Sequence, residues 1–333
     1  MNRRHLAAAV LTVVSLAACD GLPFPTTTPP DTTTSAPVTT GATTTAVPAA
    51  TTLPTMPPSA PGGLCRSYED AVVTGTIVND EATEISGIVA SRTHSDVLWM
   101  LNDSGGGPFV YAASVTGEHL GTFEVDTSTF DWEDIAIGPG PDPGVDYLYL
   151  GDIGDNLHFR PYVTVQRVAE PTPDPAGGFV ASVEEIDLAY PEPGPDAEAM
   201  FVDPVTGDLV IATKPDRGGT SVIYRAPAAG LVDGATVDLV EIGSLPLDRG
   251  VFVTAADIDP TGAVVVFRGY NEVWLWYRTD VAMTETFSAE PCRTPSTAEV
   301  QGEAISFSGD GLSYFTVSEG GNPDIHFVFS IFD

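Results

Sequence analysis

One five-residue pattern returns along the second two-thirds of this chain, each time opening on a polar residue. It reads Glu84 in EISGI, Glu133 in EDIAI, Glu198 in EAMFV, Thr254 in TAADI and Glu303 in EAISF. The steps run from 49 to 65 residues, the spacing of a radially repeated four-stranded unit, and they predict an all-β fold, a β-propeller. The first strand of each blade in such a fold lines the central channel. The repeat therefore gathers scattered acids into one ring and points to a cation site on the axis.

The segments between these openings divide into short β-branched and aromatic runs separated by Gly, Pro and Asp. The first unit reads ISGIVAS, VLWMLND, FVYAASV and HLGTFEV, and the second EDIAIG, DYLYLGD, VTVQRV and VEEIDLAY. The third reads EAMFVD, DLVIAT, SVIYRA and VDLVEIG; the fourth reads TAADID, AVVVFRG, EVWLWYR and a weak strand over 284–289. The last supplies only EAISFS, LSYFTVS and DIHFVFSIF, so its missing outer strand is assigned to AVVTGTIV, residues 71–78. That pairing closes the ring and protects the sheet edges. Five blades are favoured; six is the alternative if the long unit from 133 to 198 hides another.

Ahead of the repeats, Asn2-Arg3-Arg4-His5 and an apolar run too short to span a bilayer, Leu6–Leu16, lead into Leu16-Ala17-Ala18-Cys19. This resembles the lipobox of bacterial lipoproteins, which implies a signal peptide over 1–18 and lipidation of Cys19. It also implies attachment to the outer, extracytoplasmic face of the cell membrane. Residues 19–63 are rich in Thr, Pro and Ala and cannot bury a core, so they read as a disordered tether before a propeller domain over 64–333. Two cysteines remain. In an exported chain Cys65 and Cys292 most simply form a disulfide, with two independent buried thiols as the alternative.

Charge excludes some partners. The sequence holds 13 Lys+Arg against 46 Asp+Glu, a net charge of −33. Such a chain repels nucleic acid and anionic headgroups, leaving the lipid anchor as the only membrane contact expected of what reads as a monomer. Lys214 is the only lysine.

Antiparallel geometry places the end of each second strand beside the start of the first. Those ends are chemically loaded: Asn102-Asp103, Gly151-Asp152, Thr213-Lys214, Arg268-Gly269-Tyr270-Asn271 and Ser318-Glu319. Any one is ordinary turn chemistry, but their recurrence next to the glutamates marks one mouth as the candidate site. Hard cations take oxygen ligands, and Ca²⁺ suits a set of carboxylates, one hydroxyl and water, so Glu84, Glu133, Glu198, Thr254 and Glu303 are the expected ligands. The alternative is that the acids bond backbone N–H groups of neighbouring blades. His94, His119, His158 and His326 show no ligand spacing and argue against zinc or iron.

The order of these units is similar to that of the five-bladed calcium-activated nucleotidases of apyrase type. In it, Glu133 precedes YLYLGDIGDN, Glu198 precedes a strand ending at Lys214, Thr254 precedes one ending at Arg268, and Glu303 opens the last blade. DWEDIA and GDIGDN also resemble phytase-like and esterase-like propellers of exported actinobacterial proteins. The resemblance implies a Ca²⁺-dependent phosphoester or phosphoanhydride hydrolase: glutamates and Thr254 on the metal, Lys214 and Arg268 on phosphate oxygens, Asp103 or Asp152 orienting water. The other reading is a propeller that binds a ligand or an envelope protein and uses its cation structurally. No GxSxG elbow or Ser-His-Asp order suggests covalent catalysis.

Overall fold

A computed structural model describes residues 65–331 apart from positions 104 and 193. The proposed signal peptide, Cys19 and the tether lie outside the described residues.

Five antiparallel sheets follow one another along the chain, each beginning at its innermost strand. Blade 1 runs Ile85–Ala90, Val97–Asn102, Phe109–Ser114 and His119–Val125; blade 2 runs Trp132–Pro139, Asp146–Asp152, Val163–Ala169 and Glu184–Ala189. Blade 3 is Ala197–Val202, Leu209–Thr213, Ser221–Ala226 and Val240–Leu245; blade 4 is Ala255–Ile258, Val264–Arg268, Val273–Tyr277 and Cys292–Thr294. Blade 5 takes Gly302–Phe307, Tyr314–Ser318 and Asp324–Val328 from the end of the chain and Val72–Thr76 from its beginning. The predicted closure is therefore present. The Cys65–Cys292 disulfide, with α-carbons 5.2 Å apart, ties the start of the domain to the outer strand of blade 4.

Inner strands are buried along their full length because both faces pack on neighbouring blades, which is why their pattern is continuously apolar after the opening residue. Each blade seam has its own apolar cluster. Met200 and Ile211 meet Tyr149 and Val165 between blades 2 and 3, Phe267 and Trp276 meet Phe201 between blades 3 and 4, and Ile88 and Met100 meet Ala304 and Val317 between blades 1 and 5. A sixth blade has no seam to occupy. The long 133–198 unit is explained otherwise: its Gly178–Val180 segment runs parallel to His119–Val125 and extends blade 1 outward. Thr236–Asp238 does the same from blade 3 onto blade 2, so the VDLVEIG run splits between two sheets.

Blade 4 departs from expectation at its rim. Residues 286–288 form a short 3₁₀ turn, and the outer strand lies later, at Cys292–Thr294. Thr286 and Phe287 in the turn are buried, and Phe287 packs on Trp276 and Phe267. Phe287 therefore fills the blade 3–4 seam while the buried Thr286 hydroxyl accepts from Thr279 N–H, and neither extends a sheet.

Candidate cation site at the channel mouth

Bulges set the mouth. The inner strands of four blades each slip register by one residue at their beginning, between Ile85/Gly87, Trp132/Asp134, Ala197/Ala199 and Gly302/Ala304. The extra residue is Ser86, Glu133, Glu198 and Glu303 respectively, and a bulge re-aims its side chain. Thr254 occupies the matching place ahead of the blade 4 strand, where its hydroxyl donates to the Gly302 carbonyl at 3.0 Å.

Blade 1 thus corrects the sequence alignment. The residue matching the glutamates is buried Ser86, and Glu84 lies two residues earlier, exposed. Aligning EISGI on its acid puts Glu84 in the ring, whereas the backbone aligns on the bulged residue.

The position two residues before each bulge forms a second tier, because alternate residues of a strand share a face. It holds Glu84, Asp131, Asp196 and Gln301, whose carbonyls accept from the N–H groups of Asp103, Gly154, Lys214 and Glu319. Those four bonds show that Asp103, Gly154, Lys214 and Glu319 are equivalent residues of four blades. Side chains at three of them engage the mouth. Lys214 forms an ion pair with Glu198 and lies 5.6 Å from the Tyr270 ring centre, while Glu319 neighbours Glu303, which also accepts from Gln301 at 2.9 Å.

Blade 2 has glycine at this position, and a Cβ on Gly154 would overlap Asp131 Oδ2 and Glu133 Oε1 where they now stand. Into the space so preserved come three carboxylates, Asp103 from blade 1 and Asp131 and Glu133 from blade 2, each offering an oxygen within 4.8 Å of the others. Glu133 is 3% exposed. Burial, followed by the charges of Glu198, Asp103, Asp131 and Asp196, holds its carboxyl well above the usual range. Asp131 is pushed up to about 6 by burial and by Asp103, Asp196 and Asp152, against a lowering contribution from Arg160. Burial raises Glu198 to about 8 even with Lys214 opposing, and raises Glu319 to about 7 with help from Glu303, Asp103 and Glu84. Carboxylates that are desolvated and crowded in this way favour protons or a cation.

The sequence reading placed Glu133, Glu198, Glu303, Asp103 and Lys214 at the mouth, and they are there. It missed Asp131 and Asp196, although DWED and DAE both carry the alternate-residue signal. Two assigned residues are otherwise engaged. Arg268 is fully buried, with Nη2 on Glu299 at 2.6 Å and Nη1 on the Ala304 carbonyl at 2.8 Å, so it braces blade 4 against blade 5 and has no exposed donor for a phosphate. Asp152 is 3% exposed; it accepts from the Phe130 and Asp131 N–H groups and from Arg160 at 2.7 Å, so it shapes the 130–131 turn rather than water. The backbone-bonding role raised as an alternative for the glutamates belongs instead to Asp134 and Asp257. Asp134 reaches the N–H groups of Met200 in blade 3 and Ala256 in blade 4, and Asp257 reaches Phe307 N–H in blade 5.

The fold and mouth define the class: a five-bladed β-propeller with an acidic channel entrance. The sequence matches no protein-family model and no curated protein. Among solved structures, Raptor from Chaetomium thermophilum is similar in fold at 12% identity and a TM-score of 0.42, over 80% of this chain and 29% of that one. The PQQ-bound aldose sugar dehydrogenase from Streptomyces coelicolor aligns at 11% identity and a TM-score of 0.46, over 79% of this chain and 98% of that one. Both likenesses concern fold alone.

Proposed function

We propose that this chain is a cell-surface propeller, lipid-anchored through Cys19, whose mouth binds Ca²⁺ and uses it to hold a small phosphorylated ligand. The observation that carries the reading is the meeting of Asp103, Asp131 and Glu133 over Gly154, with oxygen donors only. A bound ion relieves the repulsion among the three acids and reverses the local sign of a strongly negative surface. Lys214 and Tyr270 then form the opposite wall.

Hydrolysis of a phosphoester or phosphoanhydride is the second reading. It is favoured by Glu198, whose carboxyl burial raises to about 8 beside Lys214. In that reaction water attacks phosphorus, the bond to the leaving oxygen breaks, and the proton lost by water passes through Glu198 to the leaving group. Against it stand the internal engagements of Arg268 and Asp152, which leave Lys214 alone of the two assigned phosphate clamps.

The test is a titration of purified protein, soluble or full-length, with Ca²⁺ and then with nucleotides, inositol phosphates and aryl phosphates, following heat and phosphate release. Ca²⁺ binding that is lost in Asp131→Asn/Glu133→Gln, with ligand heat only when Ca²⁺ is present, supports the binding reading. Phosphate release promotes the hydrolytic one, and unchanged Ca²⁺ binding in the double variant overturns both.

A further inference from the structure

On the disc face opposite the acidic mouth, a cleft of about 540 Å³ opens between blades 5 and 1. It lies where the inner strand of blade 1 ends at Ala90 and the second begins at Val97, and where Ser308, Gly309 and Asp310 follow the inner strand of blade 5. One wall is aromatic: Phe315 and Phe327 pack at 4.5 Å between ring centres, and Phe327 and Phe329 meet edge-on at 4.5 Å. Phe315 is nearly buried and Phe329 is 42% exposed, so the stack runs from the interior to the surface.

The cleft also holds Arg92. Every other half-buried or buried arginine among the described residues donates to a carboxylate or a carbonyl, including Arg66, Arg160, Arg167, Arg225, Arg268 and Arg278. Arg92, half-buried, makes no hydrogen bond or ion pair among the described residues. Its charge acts on Asp257 of blade 4, whose oxygens already accept from Ile258 N–H, Phe307 N–H and the Ser306 hydroxyl. Asp257 therefore supplies an attractive field and leaves the donors of the guanidinium unused. At the rim, Asp310 accepts from the Ser308 hydroxyl and Leu312 N–H, and Asp96 sits in a left-handed turn at φ 60°.

We infer that this cleft is a binding site for a small aromatic carboxylate, its anionic group forked on Arg92 and its ring against Phe327 and Phe329. A planar guanidinium binds a carboxylate through two parallel hydrogen bonds, and its pairing is strongest where water is partly excluded. The volume is that of a small-molecule pocket. Rim acids Asp96 and Asp310 disfavour a second negative charge, which selects a monoanion over a phosphate ester and separates this site from the mouth.

Titration of the purified full-length protein with 1-naphthoate, followed by calorimetry and by line broadening of the ligand's proton resonances, tests the assignment. The uncharged 1-naphthalenemethanol serves as control. Naphthoate is expected to bind at least tenfold more tightly than the alcohol, with affinity unchanged by Ca²⁺. Arg92→Met should reduce naphthoate affinity at least tenfold while leaving the alcohol unaffected, and Arg92→Lys should recover only part. Phe329→Ala, at an exposed position that the core does not need, should weaken both ligands and keeps the test open if Arg92→Met fails to fold. Equal affinity for the two ligands, an Arg92→Met variant that binds naphthoate normally, or no binding at millimolar ligand overturns the inference.

Discussion

Lys214 and Glu198 are joined within one blade, the lysine at the end of its second strand and the glutamate in the bulge of its first. The chain's only lysine thus pairs with an acid of the ring outside the three-acid cluster on blades 1 and 2. Lys214→Met exposes the consequence. Lys214 opposes the burial that raises Glu198 to about 8, so removing the ammonium raises that carboxyl further, and near pH 9 the variant must hold in the folded state a proton that the unfolded chain gives up. We expect a loss of about 2 kcal/mol in urea unfolding near pH 9, smaller than for a fully buried pair because Lys214 is partly exposed, and much less below about pH 6. Lys214→Met/Glu198→Gln should restore most of it.

The same mouth makes the metal-free domain sensitive to alkali. Glu198 is raised to about 8 and Glu319 to about 7, both above the ordinary 4.5. A carboxyl whose folded value is raised contributes stability that is complete below the unfolded value and is lost as pH climbs through the folded one. Melting temperature without divalent cations should therefore fall between about pH 4.5 and pH 8. The groups facing Glu198 are Lys214, Asp196, Glu303, Tyr270 and Glu133, and saturating Ca²⁺ should flatten the decline by screening the acids among them. Glu299 acts oppositely at the acid end: burial opposes its charge, but His326, Arg268 and Thr316 overcome that and hold it at about 2. Its contribution is present above 4.5 and lost as pH falls toward 2. A melting temperature that rises steadily from pH 5 to pH 8 in chelator refutes the account of the mouth.

Much of this molecule was legible because strand period and turn chemistry are local. Alternation located nearly every strand, and the shortage of a fourth strand after Asp324 identified Val72–Thr76 as its partner. Bulges are not local. Whether Glu84 or Ser86 enters the ring depends on which residue is left unpaired opposite Asn102 and Leu101, and the sequence EISGI fits either register. The fate of Arg268 was equally hidden. Its partner Glu299 precedes the next blade by three residues and carries no repeat signature.

That difference in register gives a direct comparison. Glu84→Gln should leave the Ca²⁺-induced rise in melting temperature unchanged, because Glu84 is exposed and outside the three-acid cluster. Glu133→Gln should reduce the rise by at least half. Equal effects in the two variants restore the uniform ring read from the sequence and remove the blade 1–2 site.

Closure depends on the seam between the two ends of the chain. Cys65 and Cys292 are 227 residues apart, and cross-linking so long a loop limits the unfolded ensemble. On the chain-entropy account the bond contributes at most about 5 kcal/mol. Cys65→Ser/Cys292→Ser should lower the urea midpoint and leave the native circular dichroism intact, since Val72–Thr76 still pairs with Asp324–Val328. A double variant with an unchanged midpoint means that strand pairing alone closes the ring.

Gly154→Ala isolates the cation site with the least disturbance elsewhere. The added methyl overlaps only the ends of two side chains, Asp131 and Glu133, which can swing aside, and the glycine backbone is not in the left-handed region. Folding should survive with a cost near 1 kcal/mol or less, while the three oxygens can no longer converge on one ion. We expect the Ca²⁺-induced rise in melting temperature to disappear and the naphthoate affinity of the opposite face to stay the same. An alanine variant that keeps its full Ca²⁺ response places the ion elsewhere in the ring, with Glu303 and Glu319 as the next carboxylates to remove.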